Sequence, residues 1–159
     1  MGLKEVMETL RKCELFGQLS DNELRIIAEL GKVESYSPGE EIFQQGRIGT
    51  KLYILSEGRV SLYRKIHLGN TREGTATVYV AREQPHRRLL GGWCTLVGEE
   101  HIQMCTARCD RPAKLIAIPS QGLREVMIGD ANIRVKILEK LVLLLRDRIE
   151  SSYTAMETL

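Results

Sequence analysis

Two short segments of the chain carry residue types that could hold a small ligand. The first begins with a glycine pair, Gly91-Gly92, and a short helix is expected over 92–97. Backbone N–H groups at the start of a helix lack partners inside it, and the helix dipole adds to their attraction for an anion. The second segment begins at Gln103. The candidate ligand-binding residues are Gly91, Gly92, Trp93, Cys94, Thr95, Leu96, Gln103, Met104 and Cys105.

The other residues that could do chemistry are scattered along the chain. The four cysteines form no C-x-x-C pair, which favours buried, reduced thiols. Cys105 and Cys109 lie on one predicted strand, about 13 Å apart at roughly 3.3 Å per residue, too far to share one metal ion. His67, His86 and His101 are isolated and are expected in loops rather than as ligands. Without a nucleophile elbow, a P-loop or an acid–base pair, the sequence predicts no enzyme.

The length and the net charge of the chain limit the classes of protein to which it can belong. A chain of 159 residues with 43% hydrophobic content can bury the core of one domain, so we expect a single domain over 1–159. A net charge of +2 gives no basic surface typical of nucleic-acid binding. We find neither a secretory signal nor a run of roughly 20 apolar residues, so we expect a cytoplasmic protein without a membrane span.

Residues 1–31 show the apolar spacing of two short helices. The first is expected to end near Phe16-Gly17. Ser20 and Glu23 form a predicted capping box at the start of the second helix, which Gly31 should end.

Residues 33–118 change to a period of two, which is typical of strands joined by tight turns. The segment from Leu52 predicts a strand with one buried face. Residues 102–109 predict another strand, followed by a turn at 110–112, and Pro119 should end this region.

Several turns can also be predicted here. The residues 86–88 are expected to form a solvated basic turn, Gly69-Asn70 the tip of a hairpin, and Arg108 to face solvent. Tight turns that need a positive φ are predicted at Gly39, Gly46, Gly49 and Gly58.

Residues 120–155 return to a helical pattern, with Ser120 and Asp130 as predicted N-caps of a short and a long helix. The long helix has two apolar stripes. The inner stripe is Ile133, Ile137, Leu141 and Leu144; the outer stripe is Val135, Leu138, Val142, Leu145 and Ile149. A helix that is apolar on two faces packs against two surfaces. The outer stripe therefore predicts either a homodimer through 131–152 or packing of both stripes within the monomer.

Together, these segments resemble the cyclic-nucleotide-binding domain family, the β-roll of catabolite-activator proteins, kinase regulatory subunits and gated channels. The resemblance rests on residues 38–46, 52–63 and 91–97. It implies a mainly β fold with flanking helices: a double-stranded β-helix, or jelly roll, over 33–118, N-terminal helices over 1–31, and C-terminal lid or dimer helices over 120–155. It also implies a regulatory or sensory function, with cyclic AMP or cyclic GMP as ligand and signalling through the C-terminal helices.

Two positions depart from the phosphate-binding pattern of that family. The family places a glutamate after the glycine and an arginine in the next strand, whereas Trp93 and Gln103 stand there in this chain, the second within a gap shift of one or two residues. Losing a bidentate partner weakens anion binding, so we expect weaker binding of cyclic AMP or cyclic GMP. Trp93 is predicted either to close the pocket on a planar ligand or only to pack its helix against the roll.

The sequence leaves two other functions open. One is a ligand-independent dimerisation or interaction module, and the other is a redox or metal sensor on the same roll. In transcription factors of the family a helix-turn-helix follows the long helix, whereas only 152–159 follow it here. We therefore expect no DNA binding by this chain alone, and an unidentified protein as the downstream partner.

Overall fold

The computed structural model describes residues 1–67, 69 and 72–158. Within these residues, four α-helices flank eight strands, β1 to β8, and a short 3-10 helix lies between β6 and β7. The helices are α1 Leu3–Arg11, α2 Asp21–Ala28, α3 Ser120–Gly129 and α4 Ala131–Met156, and the 3-10 helix is Trp93–Val97. The strands are β1 Lys32–Tyr36, β2 Glu41–Phe43, β3 Ile48–Gly49, β4 Lys51–His67, β5 Glu73–Arg82, β6 Leu89–Gly91, β7 His101–Ile102 and β8 Thr106–Pro119.

The strands form a mainly antiparallel roll with helices at both ends of the chain, as expected from the sequence. The larger sheet has the order β1-β8-β4-β5, with β2 also paired to β8 and β6 to β4. A second sheet contains β3 and β7, in which Gly49 lies opposite His101. This small sheet brings the segment after the 3-10 helix next to the start of β4.

The centre of the larger sheet is buried on both faces. On β4, Leu52 and Ile54 pack in the core shared with the helices, while Tyr53 and Leu55 pack in the core inside the roll. The expectation of one buried face from Leu52 onward is therefore wrong. A sheet with a core on each side needs apolar side chains on both of its faces.

The predicted strand over 102–109 is present only in part, because it is interrupted over 103–105, and the predicted turn over 110–112 is wrong. β7 ends at Ile102 and β8 begins at Thr106, because the chain passes from the small sheet to the larger one between them. β8 then continues through Pro112. The β4–β8 register shifts around Gly58, whose φ is 96°, and such a bulge accommodates a proline without an N–H donor.

The predicted positive φ values are found at Gly39, Gly46 and Gly58, whereas Gly49 lies in β3 without one. A glycine fits at this position for another reason. The Gln103 side chain packs directly against Gly49 and leaves no room for a Cβ. The predicted hairpin tip falls between β4 and β5, and its Asn70 lies outside the described residues.

The helix ends follow the predictions in part. The capping box is present, with Ser20 Oγ accepting from the Glu23 N–H and the Glu23 carboxylate accepting from the Ser20 N–H. The second helix ends at Ala28, before Gly31. The first helix ends at Arg11 rather than near Phe16-Gly17, because the chain buries residues 13–16 through successive turns that one helix face could not bury.

At the C-terminal helices, one predicted cap is present and the other is not. Asp130 Oδ1 accepts from the N–H groups of Asn132 and Ile133 at the start of α4. Ser120, by contrast, is the first residue of α3, with Pro119 at the N-cap position and no capping hydrogen bond. Its hydroxyl is fully buried instead.

Helix α4 buries its inner stripe and leaves much of its outer stripe exposed. Ile133, Ile137, Leu141 and Leu144 are buried. Val142 is 67% exposed, and Val135 and Ile149 are about half exposed. Leu138 and Leu145 pack against the core, so the alternative that both stripes pack within the monomer holds for only part of the outer stripe. Among the described residues, no helix combines the length and hydropathy that a membrane crossing requires.

Candidate ligand cavity between the roll and helix α4

A cavity of about 600 Å³, which we call the roll cavity, lies between the roll and helix α4. Its volume falls in the range of about 300–1,000 Å³ that is usual for small-molecule sites. Helix α4 contributes one face of its second half. The described lining residues are Phe43, Leu62, Arg64, Ile66, Ala76, Val78, Tyr79, Leu89, Leu90, Gly91, Trp93, His101, Gln103, Met104, Cys105, Leu144, Arg148, Ser152, Ala155 and Met156.

The structure brings five of the nine candidate ligand-binding residues to this cavity: Gly91, Trp93, Gln103, Met104 and Cys105. The other four are not among the described residues that line it. Leu96 is fully buried in the core shared with the helices, and Cys94 and Thr95 are half-buried in the 3-10 helix. Gly92 is buried at the N-cap of that helix.

The glycine turn, Gly91-Gly92, is held in place by close backbone contacts. Gly91 has a φ of 99°, and a Cβ there would lie 2.7 Å from the Lys51 carbonyl. A Cβ on Gly92 would lie 2.9 Å from Ser120 Oγ. Only glycine fits both positions without movement of β4 or α3. The turn therefore fixes where the 3-10 helix starts, and with it the position of Trp93 at the cavity.

Two of the backbone donors expected to bind an anion already have partners. The Gly92 N–H donates to the Lys51 carbonyl at 2.8 Å. The Cys94 N–H donates to His101 Nδ1 at 3.3 Å. These bonds leave fewer free donors at the start of the 3-10 helix than an anion-binding helix start normally offers.

His101 is a residue of this site that the sequence reasoning placed in a loop. It lies in β7, is 2% exposed, and packs edge-to-face against Trp93 with ring centroids 5.1 Å apart. Burial lowers the pKa of His101 below its usual value, and a side-chain hydrogen bond with Gln103 opposes that shift. Because β7 is only two residues long, alternation in the sequence gave no signal for its burial.

Arg64 and Arg148 are further cavity residues that the sequence reasoning missed. Arg64 is on β4 and Arg148 on α4. A signal existed for the second one, because Arg148 follows the buried Leu144 by four positions and so continues the inner stripe with a charged residue.

Arg148 joins α4 to the roll through Glu14. Its Nη2 donates to Glu14 Oε2 at 3.3 Å and to the Leu89 carbonyl, and its guanidinium lies 3.4 Å from the Tyr79 ring centroid. Glu14 also accepts from the Arg88 N–H at 2.9 Å and the Leu89 N–H at 3.0 Å. The carboxylate is thus stabilised by backbone donors as well as by the arginine.

Two other arginines differ in burial: Arg88 is buried and Arg108 is exposed. Arg88, predicted in a solvated turn, is 5% exposed, and its Nη1 donates to the carbonyls of Leu55 and Ser56. The solvated basic turn is therefore wrong at this residue, because the guanidinium donates to carbonyls of β4 inside the protein. Arg108 is exposed, with its guanidinium 4.9 Å from the Tyr63 ring centroid, and is not among the described residues that line the cavity.

The comparisons with known proteins place this architecture in a family. A model of the family described as "cyclic nucleotide-binding domain" matches residues 33–130, which is more than half of the chain. The chain belongs to the cyclic nucleotide-binding domain family. Its roll and the first of its C-terminal helices lie within the matched range. No curated protein matches the sequence.

Solved structures of other cyclic nucleotide-binding domains and regulators share the fold. A cyclic nucleotide-binding domain from Methylobacillus flagellatus is 18% identical, with a TM-score of 0.74 over 96% of this chain and 80% of that one. The sensor domain of the transcriptional regulator DNR from Pseudomonas aeruginosa is 20% identical, with a TM-score of 0.69 over 93% of each chain. The regulatory domain of Toxoplasma gondii PKA, solved with cAMP, is 16% identical, with a TM-score of 0.69 over 88% of this chain and 49% of that one.

Trp93 and Gln103, predicted above to replace two charged residues of the family's phosphate-binding pattern, both line the roll cavity. Gln103 matches the arginine of that pattern only within a gap shift of one or two residues, so both replacements stay predictions. The Gln103 amide is 4% exposed and packs on Gly49 and His101. With the Gly92 and Cys94 N–H groups already bonded, the turn has fewer backbone donors left for an anion.

The four cysteines of this cyclic nucleotide-binding domain are ordinary buried or half-buried thiols. Burial raises the pKa of Cys13, Cys94, Cys105 and Cys109, which keeps the thiols protonated and less reactive. Cys105 precedes β8 and so does not share a strand face with Cys109. Among the described residues, no three His, Cys, Asp or Glu side chains cluster as a metal ion would require.

Proposed function

We propose that this chain is a regulatory domain that binds a small ligand in the roll cavity and reports the ligand through helix α4. The observation that carries this proposal is the position of α4. One face of the helix lines the cavity at Leu144, Arg148, Ser152, Ala155 and Met156. The opposite face exposes apolar residues to solvent. One helix thus connects a ligand-sized cavity with an exposed surface.

The cavity wall gives the ligand a way to move this helix. A ligand shifts a conformational equilibrium only if it interacts differently with the two states. A ligand in the roll cavity contacts Arg148, whose bonds to Glu14 and the Leu89 carbonyl attach α4 to the roll. Any ligand that competes for Arg148, or that packs better with α4 in place, changes how α4 lies on the roll.

Five candidate residues are proposed as ligand contacts: Gly91, Trp93, Gln103, Met104 and Cys105. We propose that Gly92, Cys94, Thr95 and Leu96 instead shape the turn and the 3-10 helix that hold Trp93. A cyclic nucleotide is the family's ligand. In this chain such a ligand would meet neither the carboxylate nor the arginine that the family's pattern supplies.

We propose that two copies of this domain form a homodimer through residues 131–152 of helix α4, and that the ligand acts on this dimer. The exposed part of the outer stripe is apolar along the length of α4, and a second copy of the same helix would bury it. A ligand-independent dimerisation module is the second candidate function. The exposed stripe and the replaced phosphate-binding residues favour it.

A thermal-shift experiment separates the two candidates. The probes are cyclic AMP, cyclic GMP, cyclic dinucleotides and decanoate, each at saturating concentration. Decanoate is included as an apolar ligand with one anionic group. Ligand at 100 times Kd stabilises by about 2.7 kcal/mol, which raises Tm by about 5–10 °C in a chain of this size. We expect such a rise with at least one probe and its loss in Trp93→Ala. The control Tyr153→Ala removes an exposed aromatic ring outside the cavity and should respond like the wild type. A protein that shows no shift with any probe and has twice the mass of 18.0 kDa would instead support the dimerisation module.

A further inference from the structure

The roll cavity carries positive charge in a mostly apolar wall. Its described lining residues include Arg64 and Arg148 and no aspartate or glutamate. Most of the others are aliphatic or aromatic, such as Leu62 on β4, Val78 on β5 and Met156 on α4. A cationic ligand would find no counter-charge in this wall. An apolar ligand with one anionic group matches both parts of it.

Arg148 has donors to spare for such a group. Its side chain is 21% exposed, and both hydrogen bonds that it makes with the described residues leave from Nη2. A guanidinium has five N–H donors, and those on Nη1 and Nε make no hydrogen bond with the described residues. The distance of 3.3 Å to Glu14 is longer than the roughly 2.7–2.9 Å of a strong charge-assisted bond. Glu14 also keeps two backbone donors, and Arg148 can therefore turn to a ligand without leaving that carboxylate bare.

Arg64 lies at the open side of the same cavity. It is exposed, and its Nη1 donates to the Met104 carbonyl. Met104 itself is 50% exposed, and both residues line the cavity. The cavity thus has one cation on the helix side of its wall and a second at its rim.

The remaining polar groups are too few for a strongly polar ligand. His101 Nδ1 accepts the Cys94 N–H, and Gln103 is packed against His101 and Gly49. Ser152 Oγ donates to the Arg148 carbonyl at 2.9 Å. Hydroxyl groups of a sugar would remain partly unpaired here, and unpaired polar atoms in an apolar cavity lower affinity.

We propose that the roll cavity binds an apolar monocarboxylate, with its carboxylate on Arg148 and Arg64 and its hydrocarbon part along the apolar wall beneath α4. This inference rests on the proposed function, because it names the ligand class of the same cavity. Binding makes new charge-assisted hydrogen bonds to Arg148. It therefore changes the contacts of the residue that attaches α4 to the roll.

Isothermal titration calorimetry on the full chain with three ten-carbon probes tests this inference. Decanoate, 1-decanol and decylamine share the hydrocarbon chain and differ in the charge of the head group. We expect decanoate to bind about tenfold more tightly than decanol, as a partly buried charge-assisted hydrogen bond provides, and decylamine to bind most weakly.

Variants then locate the carboxylate. Arg148→Met keeps an unbranched side chain but removes the guanidinium, and it should weaken decanoate binding about tenfold while leaving decanol binding unchanged. Arg146→Met is the matched control, because Arg146 is on the same helix, exposed, and paired with Asp147 outside the cavity. Arg64→Met should weaken decanoate about threefold, since an exposed charge is screened by water. If Arg148→Met fails to fold, Arg64→Met and the three-probe series on the wild type still decide.

The other outcomes contradict the proposed ligand class, or both the ligand class and the proposed function. Equal binding of decanol and decanoate, or a tighter cyclic nucleotide, would overturn the ligand class and leave the proposed function standing. Decanoate binding that both cavity variants leave unchanged would also overturn it. No binding of decanoate, decanol, cyclic AMP or cyclic GMP would count against the proposed function as well.

Discussion

Ser120 and Gly92 pack against each other at the point where the glycine turn meets helix α3. The Ser120 hydroxyl is fully buried and has no hydrogen-bond partner among the described residues. A capping serine would look different, with its hydroxyl accepting a backbone N–H as Asp130 does at the start of α4. Ser120 therefore contributes through its small size, which lets α3 approach Gly92.

Replacing Ser120 by alanine separates these two roles. The change removes an unpaired buried hydroxyl, so we expect the free energy of unfolding to stay level or rise by about 1 kcal/mol. A capping residue would instead lose about 1 kcal/mol, which is the loss expected for the control Asp130→Ala. Urea unfolding of both variants measures the difference. A loss of about 1 kcal/mol or more in Ser120→Ala would contradict the structure of this contact.

His101 links stability to pH at the edge of the cavity. Burial lowers the pKa of His101 in the folded chain below the ordinary value of 6.5. The unfolded chain then binds a proton more readily, so this contribution to stability is present above pH 6.5 and is lost as the pH falls below it.

The variant His101→Asn tests that contribution while its Oδ1 keeps an acceptor for the Cys94 N–H. We expect the wild type to lose more unfolding free energy than the variant between about pH 7.5 and about pH 5.5. Urea unfolding at the two pH values gives this comparison. Equal pH dependence in both proteins would show that His101 titrates as it does in an unfolded chain.

At the level of elements, helix α4 has two faces with different surroundings. Its inner stripe is buried, and the exposed part of its outer stripe includes Val142 and Ile149. The sequence predicted both stripes from their spacing. It could not tell whether the roll covers one or both, because that depends on the tertiary position of the helix.

Charges on the outer stripe test the proposed dimer. Val142→Lys with Ile149→Lys adds two exposed charges to each copy of α4, which would repel each other across a dimer. We expect the wild type to have twice the mass of 18.0 kDa by light scattering and the variant to have 18.0 kDa. The control is Leu141→Ala on the inner stripe, which should cost about 2–5 kcal/mol of stability without changing the mass of the folded protein.

A wild type that runs at 18.0 kDa at all concentrations tested would contradict the dimer. A double variant that stays dimeric would contradict the role of the outer stripe.

For the whole molecule, local signals predicted the fold, and contacts between distant segments decided the site. The turn glycines, the capping box and the two helical regions were readable because each depends on neighbouring residues. The cavity residues Arg64 and His101 could not be predicted, since they reach the cavity from the distant strands β4 and β7, and the inner stripe of α4 gave a signal only for Arg148. Burial of the sheet on both faces was missed for the same reason.

The position of Trp93 allows the most direct test of the central claim, that a ligand binds in the roll cavity. Trp93 is the single tryptophan of the chain and lines this cavity. Quenching of its fluorescence by acrylamide is measured with and without decanoate, cyclic AMP or cyclic GMP at saturating concentration. We expect at least one of these ligands to shield the indole and lower the quenching constant severalfold. Unchanged quenching with all three would contradict ligand binding in the roll cavity.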